Sequence, residues 1–237
     1  LVNYEIALRK LSKTRVKDLQ VELRIQQVKF AQEAIKSNVE SKKVLLKGDV
    51  NSGYDDYSPI LSPGGKEMYF TSRRSDTKGG NMNPDDQVFF EDVYRAVWNS
   101  EMEVWDSVSN ELGRINTEGF DAMTFISRDG KRGLMTINLT ATSAKKSTKG
   151  SDIFEIEMTD KGKWSTPKRI NNKTINSTFF DGSATMTEDG TTMYFVSDMP
   201  GGKGGMDIYR ASFDGKTFGE KQTVLSVNST GHDCFPF

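Results

Sequence analysis

The chain has 237 residues, enough to bury a core in one large domain or two small ones. Its hydrophobic fraction of 35% and its 21 glycines exclude a disordered chain and favour a turn-rich, mainly β protein. The single cysteine excludes an internal disulfide and a cysteine-based zinc cluster, and we expect neither a cofactor nor a metal.

Residues 1–46 are predicted to be helical. Apolar residues recur with helical spacing over residues 16–39, with Thr14 as the expected N-cap. A shorter apolar set predicts an earlier helix, joined by a turn at residues 12 and 13: Ile6, Leu8 and Leu11. The two helices form a predicted hairpin, which cannot cover its own apolar stripe. It therefore either ends a helical repeat array or packs on the next domain.

The charge of this helical segment differs from that of the remaining chain. It carries ten Lys and Arg against five Asp and Glu, whereas residues 47–237 carry 22 against 28. Because the basic residues alternate with acidic ones, they indicate a solvated helix face, and we expect no nucleic-acid partner.

A repeat begins near residue 47. An Asn followed five positions later by an Asp occurs four times: Asn51 and Asp56, Asn116 and Asp121, Asn176 and Asp181, and Asn228 and Asp233. A strand and a tight turn follow the first three copies, at residues 62–66, 127–131 and 187–191, each turn with a glycine that supplies a positive φ. Two further strands complete each unit. Four short strands per unit predict β-propeller blades, so residues 47–237 hold three blades and the start of a fourth.

The blade motif resembles that of TolB-like, or PD40, propellers, which reads roughly Asp-x-x-Pro-x-Φ-Ser-Pro-Asp-Gly-Lys before an aromatic-rich strand. Residues 56–74 and 193–209 match it closely, although Gly64 replaces the usual turn Asp. The resemblance implies six blades in the complete protein, and we expect the propeller to continue past residue 237.

Helices before such a propeller resemble envelope lipoproteins in which tetratricopeptide helices precede the PD40 blades and an OmpA-type peptidoglycan-binding domain follows. Some of these belong to the type IX secretion and gliding apparatus of Bacteroidota. The resemblance implies a non-enzymatic periplasmic scaffold that binds envelope proteins. It would associate with the outer membrane through a lipid anchor, and with peptidoglycan through a domain, neither of which is in this sequence.

An enzymatic alternative has two forms. The repeated acids Asp56, Asp121, Asp181 and Asp233 resemble the central acids of propeller glycosidases, but their recurrence at one position favours a structural turn residue. A propeller that gates a serine peptidase needs a Gly-x-Ser-x-Gly elbow and a histidine; the elbow is absent and His232 is the only histidine. The alternative is the propeller of a carbohydrate-active or peptidase-associated enzyme.

Loops between the second and third strands are predicted to emerge on the same face as the connections between blades. They contain seven basic residues that form a candidate partner-binding rim: Arg73, Arg74, Lys78, Lys145, Lys146, Lys149 and Lys203. Such a rim would steer an anionic partner surface towards the propeller. The alternative interpretation is that these are ordinary solvated loop residues with no role in binding.

Overall fold

A computed structural model describes residues 1–37, 41–80, 82–139 and 150–236. The chain forms two compact units, Leu1–Leu45 and Leu46–Phe237. Within the described residues, the helices are too short and too polar to span a membrane.

The described residues of the first unit form three helices rather than the expected two: α1 (Val2–Lys10), α2 (Lys13–Asp18) and α3 (Val21–Lys36). The predicted second helix is broken at Gln20, which has a left-handed φ of 49° and whose N–H bonds to the Lys17 carbonyl in a tighter turn. The N-cap is Ser12 and not Thr14, because the Ser12 hydroxyl accepts a hydrogen bond from the Arg15 N–H at 3.4 Å. Residue 39, the expected end, lies outside the described residues.

Where the second unit is described, it consists of three antiparallel sheets of four strands each, in the order of the chain. The first blade contains β1 (Asp56–Leu61), β2 (Glu67–Ser72), β3 (Asp92–Asn99) and β4 (Val104–Ser109). The second contains β5 (Phe120–Ile126), β6 (Arg132–Asn138), β7 (Asp152–Glu157) and β8 (Lys168–Arg169). The third contains β9 (Asp181–Met186), β10 (Thr192–Ser197), β11 (Asp207–Ser212) and β12 (Gln222–Thr223).

The first strands of the blades lie side by side, since β5 contacts both β1 and β9. Three four-stranded blades with adjacent inner strands are the arrangement of a β-propeller, so the expected mainly β propeller preceded by helices is confirmed. The turn glycines are also confirmed, with φ values of 67° at Gly65, 69° at Gly130 and 69° at Gly190. Residues 231–236, where the fourth inner strand was expected to begin, form no strand.

Two cores of the second unit lie between neighbouring blades, and a third is formed by blade 1 and the segment that leads into it. Adjacent residues of β6 point to opposite faces of the sheet, so Met135 packs towards blade 1 while Leu134 packs towards blade 3. Ile156 of β7 joins the first of these cores, and Ile153 joins the second. Each fully buried side chain of this size contributes about 2 kcal/mol, so blade-to-blade packing fixes the inner strands.

The chain enters each of the first two blades along the outermost strand of that same blade. Gly48 pairs in parallel with Trp105 of blade 1, and Gly113 pairs in parallel with Trp164 in blade 2. Gly48 has a φ of 99°, and a Cβ there would lie 1.9 Å from the Trp105 carbonyl oxygen. Glycine is therefore required where the chain turns inward to the Asn and Asp of the repeat.

Candidate functional site

The repeated asparagines join consecutive blades. Each of the last three asparagines makes two hydrogen bonds to a single residue in the third strand of the preceding blade. Its side-chain oxygen accepts from the N–H of that residue, and its side-chain nitrogen donates to the C=O. The pairs are Asn116 with Val93, Asn176 with Ile153, and Asn228 with Ile208, at 2.7–2.9 Å. Sequence reasoning expected bonds to nearby backbone, whereas these bonds cross 20 or 23 residues. Asn51 instead donates to the Leu46 carbonyl at 2.8 Å.

The repeated acids close a turn at the start of each of the three inner strands, and Asp233 closes the same turn in the segment that follows blade 3. One carboxylate oxygen accepts hydrogen bonds from both the N–H and the hydroxyl of a Ser or Thr four residues earlier. The pairs are Ser52 with Asp56, Thr117 with Asp121, Ser177 with Asp181, and Ser229 with Asp233, with N–H to oxygen distances of 2.6–2.7 Å. All four acids therefore share one hydrogen-bonding role.

The acids do not share one electrostatic environment, although the sequence reasoning treated them as equivalent. Burial would raise the pKa of Asp56, but hydrogen bonds from Ser72 and Ser52 and the charge of Arg74 outweigh it and lower the pKa. Burial raises the pKa of Asp121 to about 7, against the opposing hydrogen bonds from Thr117. The pKa values differ chiefly because Asp121 is fully buried, whereas Asp56 is less buried, accepts a further hydrogen bond from the Ser72 hydroxyl and lies beside the Arg74 guanidinium.

Arg74 of the predicted rim lies against blade 1 instead of facing solvent. Its guanidinium is 3.2 Å from the Asp56 carboxylate and donates to the Val50 carbonyl at 3.1 Å. It also lies over the rings of Phe70 and Tyr94, at 5.4 and 5.3 Å from their centroids. Only 15% of the side chain is exposed, so this cation mainly stabilises the blade.

Arg73 is similarly engaged. It donates to the Phe89 carbonyl at 2.7 Å, pairs with Asp86 at 2.8 Å and lies 5.9 Å from the centroid of the Phe120 ring. It therefore holds the long loop between β2 and β3 against the start of β5.

The described lysines of the predicted rim also have partners. Lys78 pairs with Glu111 at 2.5 Å, and Lys203 donates to the Asn228 carbonyl at 2.7 Å. Both contacts join a loop between the second and third strands to a connection between blades, and these segments therefore lie together as expected. The other three predicted rim residues lie outside the described residues: Lys145, Lys146 and Lys149.

His232 has a structural contact. Its Nδ1 accepts a hydrogen bond from the Met206 N–H at 3.2 Å, and its ring lies against Gly205, where a Cβ would approach within 2.5 Å. Across the described ranges, no cluster of three or more His, Cys, Asp or Glu side chains is placed to hold a metal ion.

The inner strands line a cavity of about 420 Å³ on the channel side of the blades, here called the channel pocket. Its wall is mainly aromatic and apolar, formed by Tyr57, Pro59, Ile60, Phe120, Ala122, Met123, Phe180, Phe235 and Pro236. The polar groups are hydroxyls and one acid: Ser58, Thr124, Thr136, Ser151, Ser183 and Glu91. Sequence reasoning missed this pocket, because the channel-facing residues differ from blade to blade.

Bulges in the inner strands shape the channel pocket. β1 and β9 each carry a register shift against their neighbours, with Ser58 and Ser183 at positive φ values of 52° and 49°. The Ser183 N–H donates to the Thr136 hydroxyl at 2.8 Å, and the Thr124 hydroxyl donates to the Ala184 carbonyl at 2.7 Å. These bonds cross from blade 2 to blade 3 and hold the wall in place.

Comparison with solved structures finds similarity to TolB from Acinetobacter baumannii, at 17% identity and a TM-score of 0.44 over 71% of this chain. A TolB protein from Agrobacterium tumefaciens matches at 16% identity and a TM-score of 0.48 over 81% of the chain. A puromycin-hydrolysing peptidase from Mycobacterium tuberculosis matches at 16% identity and a TM-score of 0.44 over 76% of the chain.

The chain spans 32% and 52% of the two TolB structures and 25% of the peptidase. No family model matches the sequence, and no curated protein matches it either. Both TolB proteins and peptidases stand among the similar structures.

Proposed function

We propose that this chain is part of a non-enzymatic scaffold that binds other proteins through its propeller and helices. The observation that carries the proposal is the channel pocket, whose wall is mainly aromatic and apolar while the repeated acids are committed to structural turns. Large apolar side chains around a concave surface with a few hydroxyls are typical of a binding site.

The chemistry of the pocket supports binding over catalysis. The channel hydroxyls of Ser58 and Ser183 would need a base to act as nucleophiles. The only histidine, His232, instead accepts a hydrogen bond from the Met206 N–H. Glu91 is the acid of the pocket, and it faces the Tyr57 hydroxyl, whose pKa is raised by burial and then by the Glu91 charge.

The proposed location is the periplasm, in association with the outer membrane. The blade motif at residues 56–74 and 193–209, and the helices before it, support this location through their resemblance to PD40 envelope lipoproteins. A role in a type IX secretion or gliding-type complex belongs to the same proposal, with partners among envelope proteins. Peptidoglycan and lipid contacts would be made outside this sequence.

The experiment fills the channel pocket. Ala122 lines it, and Ala122→Trp should reduce the recovery of envelope proteins that co-purify with the intact protein after crosslinking in cells. Lys216→Trp is the matched control, because Lys216 is exposed in the turn between β11 and β12. Equal recovery with both variants, at unchanged melting temperature, would contradict binding through the channel pocket.

Hydrolysis assays separate the scaffold from the enzymatic alternative. We expect the purified intact protein to release no product from peptidoglycan fragments or from peptide substrates. Turnover that is abolished by Asp121→Asn or Asp181→Asn without a loss of melting temperature would favour the carbohydrate-active alternative instead.

A further inference from the structure

The channel pocket carries a single formal charge. Among the residues that line it, Glu91 is the only one with an acidic or basic side chain. In the described part of the chain, no Lys or Arg nitrogen lies within ion-pair distance of the Glu91 carboxylate. The Arg73 guanidinium lies 5.9 Å from the centroid of the Phe120 ring in the wall, but it is paired with Asp86 at 2.8 Å and is not a lining residue. The lining of the pocket is therefore negatively charged.

The fold uses only the backbone at the position of Glu91. Each blade has one residue directly before the Asp that begins its third strand: Glu91, Ser151 and Met206. The carbonyl of each accepts a hydrogen bond from the N–H of the next repeat acid, at 2.8–2.9 Å, and these acids are Asp121, Asp181 and Asp233. The same backbone bond forms with a carboxylate, a hydroxyl or a thioether side chain. The packing of the blades therefore does not require the Glu91 carboxylate.

Four aromatic rings line the same pocket, and each lies within two residues of a different repeat acid: Tyr57, Phe120, Phe180 and Phe235. Tyr57 is 38% exposed and Phe235 is 75% exposed, so both rings are accessible to a ligand. The face of an aromatic ring attracts cations, and the attraction is stronger where water is excluded. Rings and an acid in one cavity favour a ligand group that is positively charged and also has apolar surface.

We propose that the channel pocket binds a basic side chain of a partner protein, an inference that rests on the proposed binding of proteins through this pocket. The cationic group would pair with Glu91, and its methylene stem would lie against the exposed rings of Tyr57 and Phe235.

The lining disfavours other occupants. A wholly apolar side chain would remove the Glu91 carboxylate from water without giving it a partner, which costs free energy. An acidic side chain would be repelled, because no basic residue lines the pocket. A metal ion needs several oxygen ligands, whereas the pocket offers one carboxylate in a mainly apolar wall.

The test measures the binding of capped pentapeptides to the intact protein by calorimetry. Their central residue is lysine, norleucine or glutamate between alanines, and norleucine keeps the methylene stem of lysine without the ammonium group. We expect the lysine peptide to bind about ten-fold more tightly than the norleucine peptide, the effect of one hydrogen bond between charged groups. The glutamate peptide should bind most weakly.

Two variants assign the preference to the pocket. Glu91→Gln should reduce the affinity for the lysine peptide to that for the norleucine peptide, and it keeps the backbone carbonyl that the fold uses. Tyr57→Leu, which removes an exposed ring, should lower the affinity for the lysine peptide about three-fold. Glu118→Gln is the matched control, because Glu118 is exposed and does not line the pocket, and it should leave the preference for lysine unchanged.

The inference is overturned by equal affinity for the lysine and norleucine peptides, or by a preference for lysine that Glu91→Gln leaves unchanged at the melting temperature of the parent. Binding of chitotetraose without binding of any peptide would also overturn it and would make a sugar the occupant. The Ala122→Trp experiment decides the proposed function separately. If Ala122→Trp reduces the recovery of partners while the peptides bind equally, only the basic side chain is contradicted.

Discussion

Asp56 and Asp121 occupy the same repeat position, and we predict that replacing them by Asn changes stability in opposite directions at pH 8. The Asp121 pKa is raised from 3.8 to about 7, chiefly by burial. The folded state therefore keeps a proton that the unfolded state releases, and stability falls as the pH rises between these values. Each pH unit between the two pKa values lowers the free energy of unfolding by about 1.36 kcal/mol, so the total loss above pH 7 is about 4 kcal/mol.

Asp121→Asn removes this penalty and keeps an oxygen that accepts the Thr117 N–H bond, which is 2.6 Å long in the structure. It loses the second oxygen and any remaining charge-assisted bonds, so we expect a net gain of about 1–3 kcal/mol at pH 8. At pH 5 less than half of the penalty is present, so the expected effect there lies between no change and a loss of about 2 kcal/mol. The measurement is the free energy of unfolding from urea titrations of the intact protein at both pH values.

Asp56→Asn is the matched control. The pKa of Asp56 is lowered because hydrogen bonds from its serines and the Arg74 charge outweigh burial, so its carboxylate stabilises the fold above the unfolded pKa of 3.8. That stabilisation is lost only as the pH falls through the lowered pKa. We expect Asp56→Asn to cost about 1–3 kcal/mol at both pH 5 and pH 8. If Asp121→Asn destabilised the protein at pH 8 as much as Asp56→Asn does, the assigned burial penalty would be wrong.

Three further predictions concern the blades. Asn176→Ala should lower the free energy of unfolding by about 2–4 kcal/mol, since it removes the hydrogen bonds to the N–H and C=O of Ile153 and to the Ile170 carbonyl and leaves the Ile153 N–H unpaired. Asn51→Ala should lower it by under about 1 kcal/mol, and equal losses would contradict the blade-joining role. Gly48→Ala should lower the free energy of unfolding by more than about 2 kcal/mol, because the new Cβ would meet the Trp105 backbone. Gly162→Ala, which has open space around it, should lower it by about 1 kcal/mol, and thermal denaturation measures both losses. Replacing Lys145, Lys146 and Lys149 by Glu should weaken pull-down of an envelope partner at low salt, and recovery equal to the parent would return them to solvated loop residues.

The blades could be predicted because the features that define them are local and repeated. An Asn and an Asp five residues apart recur four times, and the first three copies are each followed by a turn with glycine between two strands, so the repeat identifies the unit. The break at Gln20 could not be predicted, because glutamine has no preference for the left-handed conformation. The inward turns at Gly48 and Gly113 do have a sequence signal, which is a glycine three residues before each of the first two repeat asparagines.

The rim could be predicted less well because the direction of a long side chain depends on contacts that are distant in sequence. Arg74 follows a strand, and its position in the sequence predicts an exposed loop residue. Its guanidinium instead binds Asp56, 18 residues earlier in the chain, and lies over two aromatic rings. Whether such a residue faces a partner or its own blade is decided by the acid and the rings that share its side of the sheet. Composition and spacing do not contain this information.

In a repeat protein, the positions at which blades differ carry more information on function than those at which they agree. Asp121 and Asp181 agree because each blade needs the same turn, and their shared contacts account for their presence. The residues that line the channel pocket differ between blades that pack in the same way, as Tyr57, which follows Asp56, differs from Ala122, which follows Asp121. Since the fold tolerates either residue at such a position, the side chains that line the pocket can be set by what the pocket binds.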